Sequence, residues 1–487
     1  MYRQPSKRKL IIQRVTVYSL MTVAIFGLVT VLVFVMLGYQ YDENNGKIEQ
    51  GGLVQFNSQP TGATVFVDGV KFGTRTTART TMTSGPHTIV MQDNGYQTWE
   101  KSINVIPGSV LWLNYTRLIP NTIKTDNVAN FSSVSSTAVS KDQKWIAVKE
   151  TVSSPIFKLY DISNDTVYSK DLALPEGTYT SPSDANTQSF TLESWDVNSR
   201  YILVKHSYDS KAEWLVVDTQ DVTQTKDVTT LLGVDISRLV FSNSDSNLLY
   251  AQIGQEVRKI DLNAATLSRP LVTNVDTFSL YGSSMIVFST LIDPTTKTRS
   301  VGYYIDGMDL PRVIQSYADD GTAPLRIAVG KYFGDTVEGI AYGSTVQVLK
   351  GNLSPDNTPL SLKTINTAPF PGGAQYLTSL TNGRFIVAQN GATYMTYDVE
   401  LNKMTMTTLK GASDVTNQLQ WIDGYMLASD RDGMMRFYEF DGENQHDIMP
   451  VVPGFSITLT PNEQYVYGIT KSLNNSYHLT RARLILQ

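Results

Sequence analysis

One stretch constrains this chain more than any other. Residues 15–37, VTVYSLMTVAIFGLVTVLVFVML, carry no charge. A helix of about 23 residues is roughly 35 Å long, enough to cross a ~30 Å hydrocarbon layer with some tilt. A buried core helix would need helical neighbours to cover an apolar cylinder, and the rest of the sequence offers none. A cleaved signal peptide has a shorter apolar run followed by a small-x-small site; here Val35, Met36, Leu37, Gly38 and Tyr39 supply one small residue. The stretch therefore reads as an uncleaved signal anchor over 15–38. Arg3, Lys7, Arg8, Lys9 and Arg14 precede it without an acid, whereas Asp42, Glu43, Lys47 and Glu49 follow it. The positive-inside rule keeps a basic tail, residues 1–14, in the cytoplasm and sends the remainder across the membrane. Residues 39–52 read as a polar, Gly-containing linker.

Beyond the anchor the chain reads as all-β. It is rich in Tyr, Thr, Ser and Val and poor in helix-forming runs. Its 487 residues exceed one ordinary domain, the net charge of -5 argues against a nucleic-acid partner, and the absence of cysteine excludes disulfides, thiol catalysis and Cys-zinc sites.

Residues 53–120 carry about seven short strand patterns joined by turn residues. Asp68 and Gly69 sit between two apolar runs, a strong hairpin signal because both turn positions accept positive φ. The order Ser58, Pro60, Gly62, Ala63, Val65, Val67, Asp68, Gly69, then Gly73, Thr74, Gly85, His87, Gly95 and Tyr96 resembles the PEGA domain. Thr61 and Arg75 depart from its usual pattern. The resemblance implies a small extracytoplasmic β-sandwich of cell-envelope proteins. It implies a structural rather than chemical role for Pro60, Gly62, Ala63, Asp68, Gly69, Gly73, Gly85, His87, Gly95 and Tyr96.

From 121 to 487 the chain repeats. A polar turn, a bulky residue and a short strand recur about every 46 residues. Copies begin near Trp145, Tyr201, Leu248, Met285, Val337, Phe385, Tyr425 and Tyr465. A second strand ending in a turn follows most copies, as at Asp161, Asp218, Asp261 and Asp398. Such a unit matches one four-stranded blade, so the region reads as a seven- or eight-bladed β-propeller; seven applies if the weak unit near Val337 belongs to a neighbour. Closure is expected from one shared blade, with 130–140 and 479–486 as its candidate strands.

No catalytic, cofactor or metal motif emerges. The four histidines, His87, His206, His446 and His478, lack metal-ligand spacing. There is no nucleophile elbow, P-loop or dinucleotide fingerprint. The run from Ser429 to Gly433 reads as a polar turn, as do the Asp-Gly steps near 320 and 441. Trp145 is expected in the core; Trp99 and Trp112 pack the small domain or form a stacking face. Two functions fit. One is a membrane-anchored extracytoplasmic scaffold of the cell envelope, with a protein or glycan partner and no catalysis. The other is an exported propeller enzyme acting on glycans or other envelope polymers, with a site converging in the channel. Replacing Ile25→Arg at the centre of the apolar run is expected to cost about 2.5–3.5 kcal/mol of insertion energy. Membrane fractionation reads the result, and undiminished membrane recovery would count against this placement of the span.

Overall fold

A computed structural model of the chain describes residues 7–42, 46–184, 187–319, 321–356, 358–380, 383–411 and 417–486. Arg3 of the basic tail, Glu43 of the linker, Asp320 of one expected turn and Asn382 before the sixth repeat copy lie outside the described residues. The chain divides into two compact units, Met1–Thr122 with Ile485–Gln487, and Ile123–Leu484.

The first unit opens with helix α1, Lys7–Met36. The span Ile11–Met36 is long and apolar enough to cross a membrane, and its hydropathic core is bare of protein contacts that would bury it. The helix starts earlier than the charge-free run because Lys, Arg, Leu, Ile and Gln all sustain helical backbone. It ends where Gly38 takes φ +79, a left-handed position that glycine adopts without steric penalty. The segment expected as a linker is instead a small hairpin, β1 (Tyr39–Asp42) against β2 (Lys47–Gln50), with Tyr41 opposite Ile48. Its polar residues masked a short alternation.

Seven strands follow: β3 (Gly52–Gln59), β4 (Thr64–Val67), β5 (Val70–Arg75), β6 (Ala78–Met82), β7 (Gly85–Gln92), β8 (Trp99–Val105) and β9 (Val110–Arg117). They form a three-stranded sheet ordered β6-β3-β9 and a four-stranded sheet ordered β5-β4-β7-β8. Strand β3 alternates buried and half-buried residues along its whole length, the period of a strand with one face on a core. Val54, Phe56, Ala63, Val65, Ile89, Met91, Trp99 and Leu113 fill the space between the sheets. Strand β6 escapes a sequence reading because ARTTM carries one large apolar residue. Trp99 and Ile103 belong to the single strand β8.

The second unit contains, among the described residues, eight four-stranded sheets. Seven are antiparallel meanders in chain order, spanning 136–173, 189–227, 238–267, 275–318, 325–369, 376–408 and 420–450, here blades 1 to 7. Blade 8 takes three strands from 458–483 and its outermost strand, β10 (Thr125–Phe131), from the start of the unit. Thr125 pairs with Ala482 and Phe131 with Tyr477. The ring is therefore an eight-bladed β-propeller. The closing strand lies a few residues before the expected one, whereas Ser136–Val139 opens blade 1. The weak unit near Val337 is a full blade, with Val337 itself buried.

The repeat motif has a local cause. In most blades the polar turn places an Asx side chain under the hairpin between the first and second strands. Asp196 accepts from the backbone N–H groups of Arg200 and Tyr201, both at 2.7 Å, and Asp423 does the same for Tyr425 and Met426. The Asp ending the third strand caps the next turn: Asp161 accepts from Ser163 N at 2.9 Å, Asp218 from Gln220 N at 2.8 Å, Asp261 from Asn263 N at 2.9 Å and Asp398 from Glu400 N at 2.9 Å. A short acceptor two residues before its donor satisfies a backbone N–H that no strand can pair. Between blades, aromatic edges interlock, as in Phe157 against Phe190 (6.4 Å, 86°) and Tyr394 against Tyr438 (6.3 Å, 78°).

One buried group opposes this packing. Glu338, in the strand Asp335–Tyr342 of blade 5, is fully buried, and among the described residues neither carboxyl oxygen has a hydrogen-bond partner. Burial pushes its pKa from 4.5 up to about 8. The folded state then binds a proton that the unfolded state releases. The group imposes no penalty below pH 4.5, and its penalty grows until the pH passes about 8. Glu338→Gln should remove that loss of stability between the two limits, read as a flatter dependence of the propeller's melting temperature on pH.

Candidate functional site

The first strand of each blade faces the ring axis. Ser194 of blade 2, Val240 of blade 3, Ser279 of blade 4, Ile327 of blade 5 and Leu377 of blade 6 line one cavity of about 720 Å³. The wall is chiefly serine, threonine and aliphatic side chains. Its charged members are Lys141 and Arg238; no carboxylate or imidazole is among its described residues. Arg238 is held by the Phe278 carbonyl, which accepts from Nη1 at 2.6 Å, and lies 4.8 Å over the Phe278 ring. Burial draws its pKa below the ordinary arginine value, partly offset by the charge of Glu193. Hydrolysis of a glycosidic bond by the usual route needs two carboxyl groups facing each other across the bond. This wall presents none, and among the described residues no group of three His, Cys, Asp or Glu could hold a metal ion.

The histidines are separate. His87 pairs with Asp68 at 2.7 Å, and His478 with Asn130 at 2.6 Å. Burial and the Lys410 charge hold His446 below its ordinary range. His206 is fully buried, its Nδ1 2.8 Å from Glu213 Oε1 and its Nε2 3.1 Å from Gln188 Oε1, with its ring stacked 4.1 Å from Phe190. Glu213 also accepts from Thr180 N at 2.8 Å and from Thr180 Oγ1 at 2.7 Å. Burial would raise the Glu213 carboxyl, but these hydrogen bonds outweigh it and hold the pKa below 4.5. The network ties the connection between blades 1 and 2 to blade 2. Sequence reasoning missed it, although His206 and Glu213 lie opposite each other across one hairpin, a juxtaposition that strand register would have revealed.

In the small unit the turn residues surround one hydroxyl. Thr76 Oγ1 accepts from Gly62 N at 3.0 Å and Ala63 N at 2.9 Å and donates to Ser58 Oγ at 2.6 Å. Ser58 Oγ in turn donates to the Pro60 carbonyl at 2.6 Å. Asp68 and Gly69 both take positive φ, and Asp68 accepts from Thr88 N at 2.8 Å. Gly85 takes φ +117, while Gly73 has open space around it. Tyr96 Oη accepts from Leu486 N at 2.7 Å, and a Cβ on Gly95 would meet Leu486 Cδ1 at 2.8 Å. The C-terminal leucine thus packs on this unit's core. Thr76, unremarkable in sequence, is the hub of the turn. Residues 52–118 match the PEGA domain family.

This stretch is a PEGA domain. Within it Trp99 is 1% exposed and belongs to the core, whereas Trp112 is 42% exposed on the outer face of the β6-β3-β9 sheet. In the propeller Trp145 is half-buried rather than core, with the Lys170 ammonium 5.8 Å over its ring. The 429–433 segment forms a hairpin turn braced by Arg436, which pairs with Asp432 and Asp447 at 2.6 Å each. No curated relative matches the chain. Among solved structures the chain is similar to an oligogalacturonate lyase in complex with manganese (11% identity, TM-score 0.39, 75% of this chain and 98% of that one). It is also similar to the Dos1 propeller (12%, 0.42, 74% and 95%) and to the Cps50 (Swd1) β-propeller domain of Myceliophteria thermophila (10%, 0.38, 74% and 100%).

Removing the Glu213 carboxylate would leave His206 Nδ1 without its partner in a fully buried site. Glu213→Ala is therefore expected to destabilise the propeller by about 3–5 kcal/mol. Chemical denaturation followed by tryptophan fluorescence checks this; an unchanged midpoint would show the network to be dispensable.

Proposed function

We propose that this chain is a single-pass, membrane-anchored extracytoplasmic scaffold of the cell envelope. Its order is a cytoplasmic basic tail, a signal anchor, the PEGA domain, and a propeller that presents a binding face to a protein or glycan partner. The observation that carries the reading is the combination of a bare apolar helix with a propeller cavity whose wall has two cations and no acid or histidine. The basic residues before the helix set its direction. The PEGA turn residues act in folding, since their polar atoms are used on one another. A rigid disc with loops on both faces offers a broad surface for a partner.

The test has two arms. Protease added to spheroplasts is expected to digest the propeller and leave the amino-terminal tail intact; the opposite pattern would overturn the orientation. A chain with residues 123–484 removed, joining Thr122 to Ile485, should stay in the membrane yet lose the envelope components that co-purify with the full chain. Retention of those components by the shortened chain would refute the propeller's role as the binding element.

A further inference from the structure

The PEGA domain is joined to the membrane helix without slack. Gly51 N donates to the Gly38 carbonyl at 2.9 Å, and Gly108 N donates to the Gly51 carbonyl at 2.9 Å. Gln50 Nε2 donates to the Leu37 carbonyl at 2.9 Å. A Cβ on Gly51 would fall 2.1 Å from the Met82 carbonyl oxygen, so only glycine lets the strands close on the helix end. Phe34 in the last turn of the helix packs edge-on to Tyr39 at 5.0 Å. The helix end, the β1–β2 hairpin and the 106–109 turn are therefore fixed by one chain of hydrogen bonds.

Exposed apolar side chains gather at this junction. Tyr41 is 65% exposed and Ile48, its cross-strand partner, 70% exposed. Ile106, in the turn bonded to Gly51, is 54% exposed. Val110 and Trp112 continue the series on the outer face of β9, with Leu53 beside Val110. Polar residues take over from the row of Trp112, which Gln55 and Arg79 share, and Asn57 and Asn114 lie beyond it. Single exposed apolar residues need no explanation; a gradient that rises toward the end of a membrane helix does.

We propose that this collar, Tyr41, Ile48, Ile106 and Val110 with Trp112 at its rim, lies in the headgroup layer of the bilayer and seats the PEGA domain directly on the membrane surface. The inference rests on the reading of α1 as a membrane span and names the lipid surface as a partner of the PEGA domain. Scale supports it. The interfacial layer is roughly 5–7 Å thick on each side, and the Tyr41–Ile48 pair lies two residues, about 7 Å, along the hairpin from its junction with the helix. Tyrosine and tryptophan are the side chains favoured at that depth, because each has an apolar ring and a polar atom.

The chain has no cysteine, so single-cysteine variants report one site each. Full-length protein carrying Ile25→Cys, Ile48→Cys, Ile106→Cys or Val70→Cys is labelled with a fluorophore and placed in phosphatidylcholine nanodiscs. The discs contain lipids with a nitroxide on either the headgroup or the acyl chain. Val70, 72% exposed on β5, is the reference for a side chain in water. The headgroup nitroxide should quench labels at 48 and 106 several-fold more than the label at 70, and the acyl-chain nitroxide should quench the label at 25. Labels at 48 and 106 quenched no more than that at 70, with the label at 25 quenched, would overturn the collar and leave the anchor standing. An unquenched label at 25 would overturn the anchor and the collar with it.

Discussion

The propeller depends on one pairing. Strand β10 must find the final strand, Tyr477–Arg483, across the whole length of the ring. The register is fixed by side chains as well as backbone: His478 Nδ1 lies 2.6 Å from Asn130 Oδ1, Thr480 Oγ1 donates to Asn127 Oδ1 at 2.9 Å, and Arg483 N donates to the Lys124 carbonyl at 2.9 Å. Phe131 at the end of β10 is buried and meets Tyr160 of blade 1 edge-on at 5.9 Å, so the same strand that completes blade 8 also packs it against blade 1. On the axial side Ser456 N donates to Thr137 Oγ1 at 2.9 Å across the same seam. Without this strand blade 8 would present an open edge, a template for pairing with other chains. Contacts of such long sequence separation form late, because loop-closure entropy is spent before they return any stability.

Within the blades, charge is handled in two ways. Arg384 is buried and forms a two-pronged pair with Asp398, at 3.2 and 2.9 Å, and meets Glu400 as well. Asp398 at the same time caps its turn, so one carboxylate joins the start of the second strand to the end of the third. Arg200 and Asp218 repeat the device in blade 2 at 2.6 Å, with the arginine more open to water. These pairs satisfy their donors and fix hairpin geometry. Glu338 lacks such a partner and pays in proton uptake instead. The contrast shows that a paired charge can brace a blade, whereas an isolated one is tolerated by being neutralised.

Much of this architecture is legible in the sequence because it is written in local chemistry. The span is a charge-free run, the Asp68-Gly69 hairpin needs two positive-φ residues, and most blades carry Asx residues where a turn N–H needs an acceptor. What escaped was set by distant partners. Strand β6 is held by pairing with β3 rather than by an apolar pattern of its own. The position of the closing strand follows from register with residues more than three hundred positions away. His206 and Glu213 are polar in sequence and buried in the fold, because each supplies the other's missing hydrogen bond. Thr76 carries no local signal; its role arises from the two backbone N–H groups that the Gly62 turn points at it.

The absence of cysteine leaves both β-rich units to stand on packing and hydrogen bonds alone. The PEGA domain meets this with an inter-sheet core and with Leu486, a residue from the opposite end of the chain. The propeller meets it by closing on itself. Segments at the edges of each unit are thus tied down: Thr125–Phe131 completes a blade, and Leu486 packs on the core of the small domain.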